Sequence, residues 1–434
     1  MTAAAPGIRR EIIAAYVASA SRVLSWVFVT AVVYRRLGAD LFAILALVRT
    51  TIGLLNYTTL GLAPAMVRML SLEKRASRAP SEVYSSAMAL AAIASLAGVA
   101  LAFAYAVFFP VLHRLPAAHA NHNFGPFVFL MGLGMVFHIV SDAPGAVLQV
   151  RQRIATDNIL LAGAEWIWIA LIVLAVWRDN LTLESVALAW AISAMILMGA
   201  RILLARDAMG SAAFAGPSVR AEMMRRLLSF GLLVALAQAA DFLYAPTDNI
   251  LINRFLDPRA VAAYAPAIQI DAGLLLLVSG LAAVLLPRTA LAHAEGNTRI
   301  VRQYYIKGTF LSLCLLLPAA LAAWLLSPFI FRLWLGDPMP ATLAILPLVL
   351  IHTVVGGSSA VGRSVLLATG KVRPFTAAVL VAGASNVLLS FVFVYCFRLG
   401  LPGIVYGTLV AVIGRCALWM PWYVMKMLRE STRA

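Results

Sequence analysis

Seven charged side chains of the 434-residue sequence lie deep within apolar runs: Arg22, Arg49, Asp142, Glu165, Asp241, Asp271 and Arg415. A charge near the centre of a membrane helix costs about 2.5–3.5 kcal/mol on insertion scales, so all seven unpaired would cost on the order of 20 kcal/mol. That exceeds a typical folding stability of about 5–15 kcal/mol, so they must pair or face water. The chemistry open to them is electrostatic: guanidinium forks hold phosphate or carboxylate groups, and carboxylates take up a proton or a cation. Helical spacing indicates which groups share a face. Tyr16, Ser19, Arg22 and Trp26 form one polar stripe, and Arg49, Gly53 and Asn56 another. Gln238, Asp241, Ala245 and Asp248 line a third beside Pro246, and Tyr264, Ile268 and Asp271 a fourth; Asn386 and Ser390 add a fifth. Such stripes suit the walls of a central aqueous cavity. The alternative is a set of interhelical ion pairs, for instance Arg22 or Arg49 with Asp142 or Glu165. His138 and Asp142, four apart, are either a proton relay or a packed pair, and Arg363 is expected to snorkel to the inner interface.

The elements that position these residues are membrane helices. The chain is 63% hydrophobic and only 12% charged, against about 45–50% and about 25% in soluble domains. A helix needs about 20 apolar residues to cross the bilayer. Twelve such runs are predicted: 12–34, 41–64, 84–110, 124–148, 157–177, 182–204, 228–252, 260–286, 306–330, 341–366, 374–397 and 402–425. The first is longer than a signal-peptide core of about 7–15 residues, and is expected to be retained. With both termini cytoplasmic, the inner segments hold 22 Lys and Arg, Arg201 among them, and the outer segments eight. Cytoplasmic loops carry such an excess, so the net charge of +16 reads mainly as topology. The fold expected is an all-α membrane protein of twelve helices in two six-helix lobes. Residues 1–207 form the first, 208–226 a cytoplasmic linker, and 227–434 the second. A short repeat agrees with this: Leu37, Phe42 and Arg68 in the first half stand at nearly the spacing of Leu256, Val261 and Arg288 in the second. Chance matching in an apolar chain is the competing explanation.

Several function classes are excluded by what is missing. The sequence has no Gly-rich phosphate loop, Cys-x-x-Cys pair, nucleophile elbow or HExxH, and no cofactor or metal site is expected. Cys314, Cys396 and Cys416 lie in apolar runs without redox or metal spacing. The longest outer loop, 111–123, offers only His113, Arg114, His119 and His122, read as exposed loop residues. That is too little for a glycan polymerase or ligase. Basic residues are spread along the inner loops without interleaved aromatics, which gives nucleic-acid binding no support.

Short motifs carry a family resemblance. Arg36-Leu37-Gly38-Ala39-Asp40-Leu41-Phe42-Ala43, and Gly61-Leu62-Ala63-Pro64-Ala65-Met66-Val67-Arg68, resemble the opening of bacterial polysaccharide flippases. Asp248, Ile252, Leu256, Val261, Tyr264 and Ala267 fit the same pattern. So do Leu286-Pro287-Arg288, Glu295-Gly296-Asn297 and Leu333-Trp334-Leu335-Gly336. The departures are Ala43, Ala262 and Asp257, where glycines are usual. This family is the polysaccharide transport branch of the multidrug/oligosaccharidyl-lipid/polysaccharide exporter superfamily, which also holds the lipid II flippase and the multidrug and toxic compound extrusion antiporters. The resemblance implies a V-shaped, alternating-access pair of six-helix bundles in the bacterial inner membrane. It implies a polyprenyl-diphosphate-linked oligosaccharide as substrate, contact with membrane lipid, proton or sodium coupling, and association with polysaccharide polymerase machinery. Arg22, Arg49, Asn56 and Arg415 are the substrate-binding candidates. Asp241, Asp248, Asp271, Asp142 and Glu165 are the candidates for ion coupling or gating. A cation-coupled antiporter for drugs or metabolites is the alternative; it would favour carboxylates over arginines in the first lobe.

Overall fold

The computed structural model of the protein describes residues 6–55, 61–73, 80–210, 219–239 and 245–433. Nearly all of these are helical, as lipid requires, because only helices and closed barrels satisfy every backbone polar group within hydrocarbon. Among the described residues, ten helical stretches are long and apolar enough to cross a membrane, from Ile13–Leu37 to Gly400–Glu430. The other two expected spans, 41–64 and 228–252, each include residues outside the described set, 56–60 and 240–244.

The chain divides into two compact units, Met1–Ala239 and Ala240–Ala434. The first contains α1 (Pro6–Leu37), α2 (Ala39–Ile52), α3 (Leu62–Glu73), α4 (Pro80–Leu112), α5 (Gly125–Val150), α6 (Ile154–Trp177), α7 (Leu183–Met209) and α8 (Ala221–Ala239). Its centre is α5, packed against α7, α4 and α3, while α1 lies along α6. The expected linker ends before residue 227, yet α8 packs on α3 and α4, where Met223 and Leu227 join the core of Met66, Ala87, Ala143 and Val147.

The second unit contains α9 (Ala245–Phe255), α10 (Pro258–Ala294), α11 (Thr298–Leu335), α12 (Pro340–Ser358), α13 (Ala360–Ala368), α14 (Val372–Tyr395) and α15 (Gly400–Val412). The last span continues through a π-helical segment, Ile413–Trp419, into α16 (Met420–Arg433). Here α10 packs on α11, α12 and α13, and α14 forms a hairpin with α15. Several family motifs turn out to be helix punctuation. Asp257, in place of a glycine, caps α10 by accepting the Arg259 N–H at 2.8 Å, with Pro258 as the first helical residue. Gly296 has φ 70° after α10, and Asn297 then caps α11 through the Ile300 N–H at 3.1 Å. Gly336 ends α11 in the left-handed conformation, φ 75°, where glycine carries no Cβ penalty. The repeat has structural counterparts. Leu37 closes α1 and Leu256 follows α9, and five residues on Phe42 and Val261 are buried in the next helix.

Candidate functional site

In the first unit the two central arginines sit in one aromatic cluster. Arg22 of α1 lies one turn before Trp26, and its Nε is 3.7 Å from Glu165 Oε1 of α6. Ser25 donates its hydroxyl to the other Glu165 oxygen at 2.5 Å. Arg49 of α2 lies over the Trp26 ring, 3.3 Å from its centroid, a cation–π contact. Trp26 in turn meets Trp168 of α6 edge-on at 4.7 Å. Three helices thus place two guanidiniums and one carboxylate around a buried indole. The Arg22 side chain remains 59% exposed while Glu165 is 16% exposed. Of the pairings anticipated, Arg22 with Glu165 is formed. Asn56 lies outside the described residues.

Asp142 belongs to a different cluster, centred on a residue that reads in the sequence as an inner-segment cation. Arg201 is in fact buried in α7, 4% exposed, because a partner waits for it. Its Nε donates to Asp157 Oδ1 at 2.8 Å and its Nη1 to the Ser141 hydroxyl at 3.0 Å. Asp142 Oδ1 lies 4.0 Å from the same Nη1. Gln149 donates to the second Asp157 oxygen at 3.1 Å. Gly145 makes room for the guanidinium, since a Cβ there would come within 2.9 Å of Arg201 Cζ. His138 lies against Trp190, ring centroids 5.6 Å apart.

The outer-loop reading of His113 is also corrected. It is buried, 6% exposed, with Nε2 3.0 Å from the Tyr105 hydroxyl and its ring tilted against Phe109. Tyr105 and Phe109, near the end of α4, hold it between edge-on and tilted rings. His122 stays exposed, 3.7 Å from Glu184.

The second unit holds two carboxylate sites. Asp248 of α9 is fully buried and accepts three hydrogen bonds: from Tyr264 of α10 at 2.8 Å, Asn386 of α14 at 2.9 Å and Thr408 of α15 at 2.6 Å. Thr408 is bifurcated, lying 3.0 Å from the Asn386 carbonyl as well. Close approach of α14 and α15 makes this possible. A Cβ at Gly407 would fall 2.3 Å from Ser390 Oγ. Sequence stripes supplied Asp248, Tyr264, Asn386 and Ser390, but Thr408 was missed. Asp241 lies outside the described residues.

Asp271 of α10 accepts a hydrogen bond from Thr353 of α12 at 2.6 Å and borders a cavity of about 330 Å³. Tyr264, Thr408, His352, Arg363 and Arg415 also line it. Arg415, in the π-helical segment, donates from Nε to Cys416 Sγ at 3.3 Å. Arg363 is exposed and also borders the cavity, with its guanidinium 5.7 Å from the Phe375 ring centroid.

Comparison with known proteins places this geometry. The polysaccharide biosynthesis protein family model matches residues 12–293, and the MatE model residues 234–395. The chain is 28% identical over 207 residues to the uncharacterized membrane protein EpsK of Bacillus subtilis (strain 168), covering 47% of this chain and 40% of EpsK. The match therefore spans less than half of that relative. Among solved structures, an inward-facing multidrug resistance MATE family transporter of the MOP superfamily superposes with TM-score 0.76 at 17% identity, over 95% of this chain and 96% of that one. The eukaryotic MATE transporter AtDTX14 superposes with TM-score 0.71 at 14% identity, over 98% of each chain. These solved structures share the fold of this chain, an all-helical assembly of apolar helices. The chain belongs to the polysaccharide biosynthesis protein family, whose model covers well over half of it.

Proposed function

We propose that this protein flips a polyprenyl-diphosphate-linked oligosaccharide repeat from the inner to the outer leaflet of the bacterial cytoplasmic membrane, supplying cell-surface polysaccharide or lipopolysaccharide assembly. The observation that carries the reading is the Arg22, Arg49 and Glu165 cluster. Two guanidiniums against one carboxylate leave a net positive charge inside the first unit, and a diphosphate is the part of such a substrate that needs it. Family membership over residues 12–293 supports the same substrate class. Transport proceeds by alternating access of two lobes with cytoplasmic termini, beside a polysaccharide polymerase. Asp271, bordering a cavity, is the first candidate for proton or sodium coupling, with Asp248 and Asp241 behind it; Glu165 and Asp142 act as gating partners of Arg22 and Arg201. The test is surface polysaccharide in cells carrying Arg22→Ala with Arg49→Ala at normal membrane abundance. Loss of export supports the assignment, and normal polysaccharide rejects it.

A second reading, a cation-coupled multidrug antiporter, is favoured by the MatE match over residues 234–395. Proton-dependent efflux of an organic cation from vesicles, with no glycan phenotype on deletion, selects it.

A further inference from the structure

The last membrane span separates two spaces that share one residue. On one side is the 330 Å³ cavity of the second unit, with Asp271, His352, Arg363 and Arg415 on its wall. On the other is an apolar groove of about 670 Å³ between α14 and the last span. Arg415 borders both. It does so from a seven-residue π-helical segment, Ile413–Trp419. π-turns inside helices occur frequently at functional sites, and an intramembrane charge marks a substrate or ion path.

The groove has the build of a lipid-tail site. Its walls are small or apolar residues, among them Ala378, Val381 and Gly414, and a Cβ at Gly414 would meet nothing within 4 Å. Trp419, Trp422 and Tyr423 close one end, with Trp419 stacked on Tyr423 at 5.1 Å. Aromatic residues of this kind sit at the membrane–water interface. Because α14 and α15 form a hairpin, Lys371 and Arg373 before and in the first turn of α14 stand at the same end as Lys426 in α16, and Lys426 lies 5.4 Å over the Trp422 ring. At a rise of 1.5 Å per residue Arg415 lies about 16 Å deeper than Lys426. An anionic lipid entering from the basic end therefore meets Arg415 at the point where the apolar groove borders the polar cavity. Two arginines, Arg363 and Arg415, and one carboxylate, Asp271, line the cavity, and its size is at the small end for a ligand site, suited to a phosphate headgroup and not to a whole oligosaccharide.

We infer that the second unit holds a polyprenyl-phosphate site: the phosphate is held by Arg415 and Arg363 in the cavity while the isoprenoid tail lies in the groove between α14 and the last span. This rests on the flippase reading and adds the place where the lipid half of the substrate leaves the protein for the bilayer.

The test uses full-length protein in phosphatidylcholine nanodiscs and a polyprenyl monophosphate carrying a diazirine in its tail, with labelled residues mapped by mass spectrometry. Label is expected on the facing walls, within residues 374–389 and 410–423. Gly414→Phe or Val381→Trp, which fill the groove from opposite walls, should lower it about tenfold. Arg415→Gln should lower it by a similar factor, the scale of one lost hydrogen bond to a charged group, and Arg415→Lys should restore most of it. Equal labelling of the same walls by diazirine phosphatidylglycerol overturns the inference, as does label that neither groove variant reduces. Strong label elsewhere on the protein, with glycan export intact in Gly414→Phe cells, overturns the inference and leaves the flippase reading standing. No label above the phosphatidylglycerol background, with normal surface polysaccharide after deletion of the protein, removes both.

Discussion

Glu165 of α6 is shared between Arg22 Nε, at 3.7 Å, and the Ser25 hydroxyl, at 2.5 Å, both on α1. The carboxylate is thereby fixed to one helix from both sides, while most of the Arg22 side chain stays exposed. Where Arg22 faces an aqueous cavity, as the proposed function requires, such a pair contributes little, about 0–1 kcal/mol.

The consequence is that Arg22 is not held in place for stability. Arg22→Ala, Glu165→Gln and the double variant should give a coupling energy below about 1 kcal/mol in thermal unfolding. Export should fall sharply in Arg22→Ala all the same. A coupling of several kcal/mol would mark the pair as structural.

Arg201 behaves in the opposite way. With Asp157 2% and Arg201 5% exposed at the side chain, removing either partner strands a buried charge and should destabilise by about 3–5 kcal/mol. Gly145→Ala, whose Cβ would meet the guanidinium at 2.9 Å, should destabilise by about 1–3 kcal/mol. Replacing the pair together, Arg201→Met with Asp157→Leu, should restore much of the loss. Melting of purified protein and the yield of monodisperse protein read all four variants.

Asp248 and Asp271 are predicted to separate stability from coupling. Asp248→Ala leaves Tyr264, Asn386 and Thr408 without their shared acceptor, and unsatisfied buried groups cost about 1–3 kcal/mol each. This variant should be poorly folded. Asp271→Asn keeps an acceptor for Thr353 and stays at the cavity wall. It should fold normally, yet transport in proteoliposomes should lose its dependence on an imposed proton or sodium gradient. Retained gradient dependence in Asp271→Asn moves the coupling role elsewhere.

The membrane spans are legible because one crossing needs a fixed number of apolar residues, and Arg22 and Arg49 stand out because each interrupts such a run. Arg201 does not stand out. It lies close to Arg206 near a helix end and looks like one more cytoplasmic cation. Its signal is on α5, where Ser141, Gly145 and Gln149 recur every fourth residue: Ser141 accepts from Arg201, Gly145 leaves room for it, and Gln149 donates to its partner Asp157. Thr408 is hidden for another reason: a threonine inside a helix ordinarily bonds its own preceding turn, and only the packing of α9, α14 and α15 makes it a donor to Asp248. The membership of α8 in the first unit depends on contacts of Met223 and Leu227 with distant helices, which periodicity does not encode. The π-helical turn around Arg415 has no local sequence rule at all.

The most direct measurement is flipping itself, in proteoliposomes loaded with a lipid-diphosphate-linked oligosaccharide that an external glycosidase can reach only after translocation. Wild-type protein should expose the inner-leaflet glycan far faster than protein-free vesicles, and Arg22→Ala with Arg49→Ala should return the rate to that background. Wild-type vesicles that expose glycan no faster than protein-free ones, under every imposed ion gradient, would contradict the account.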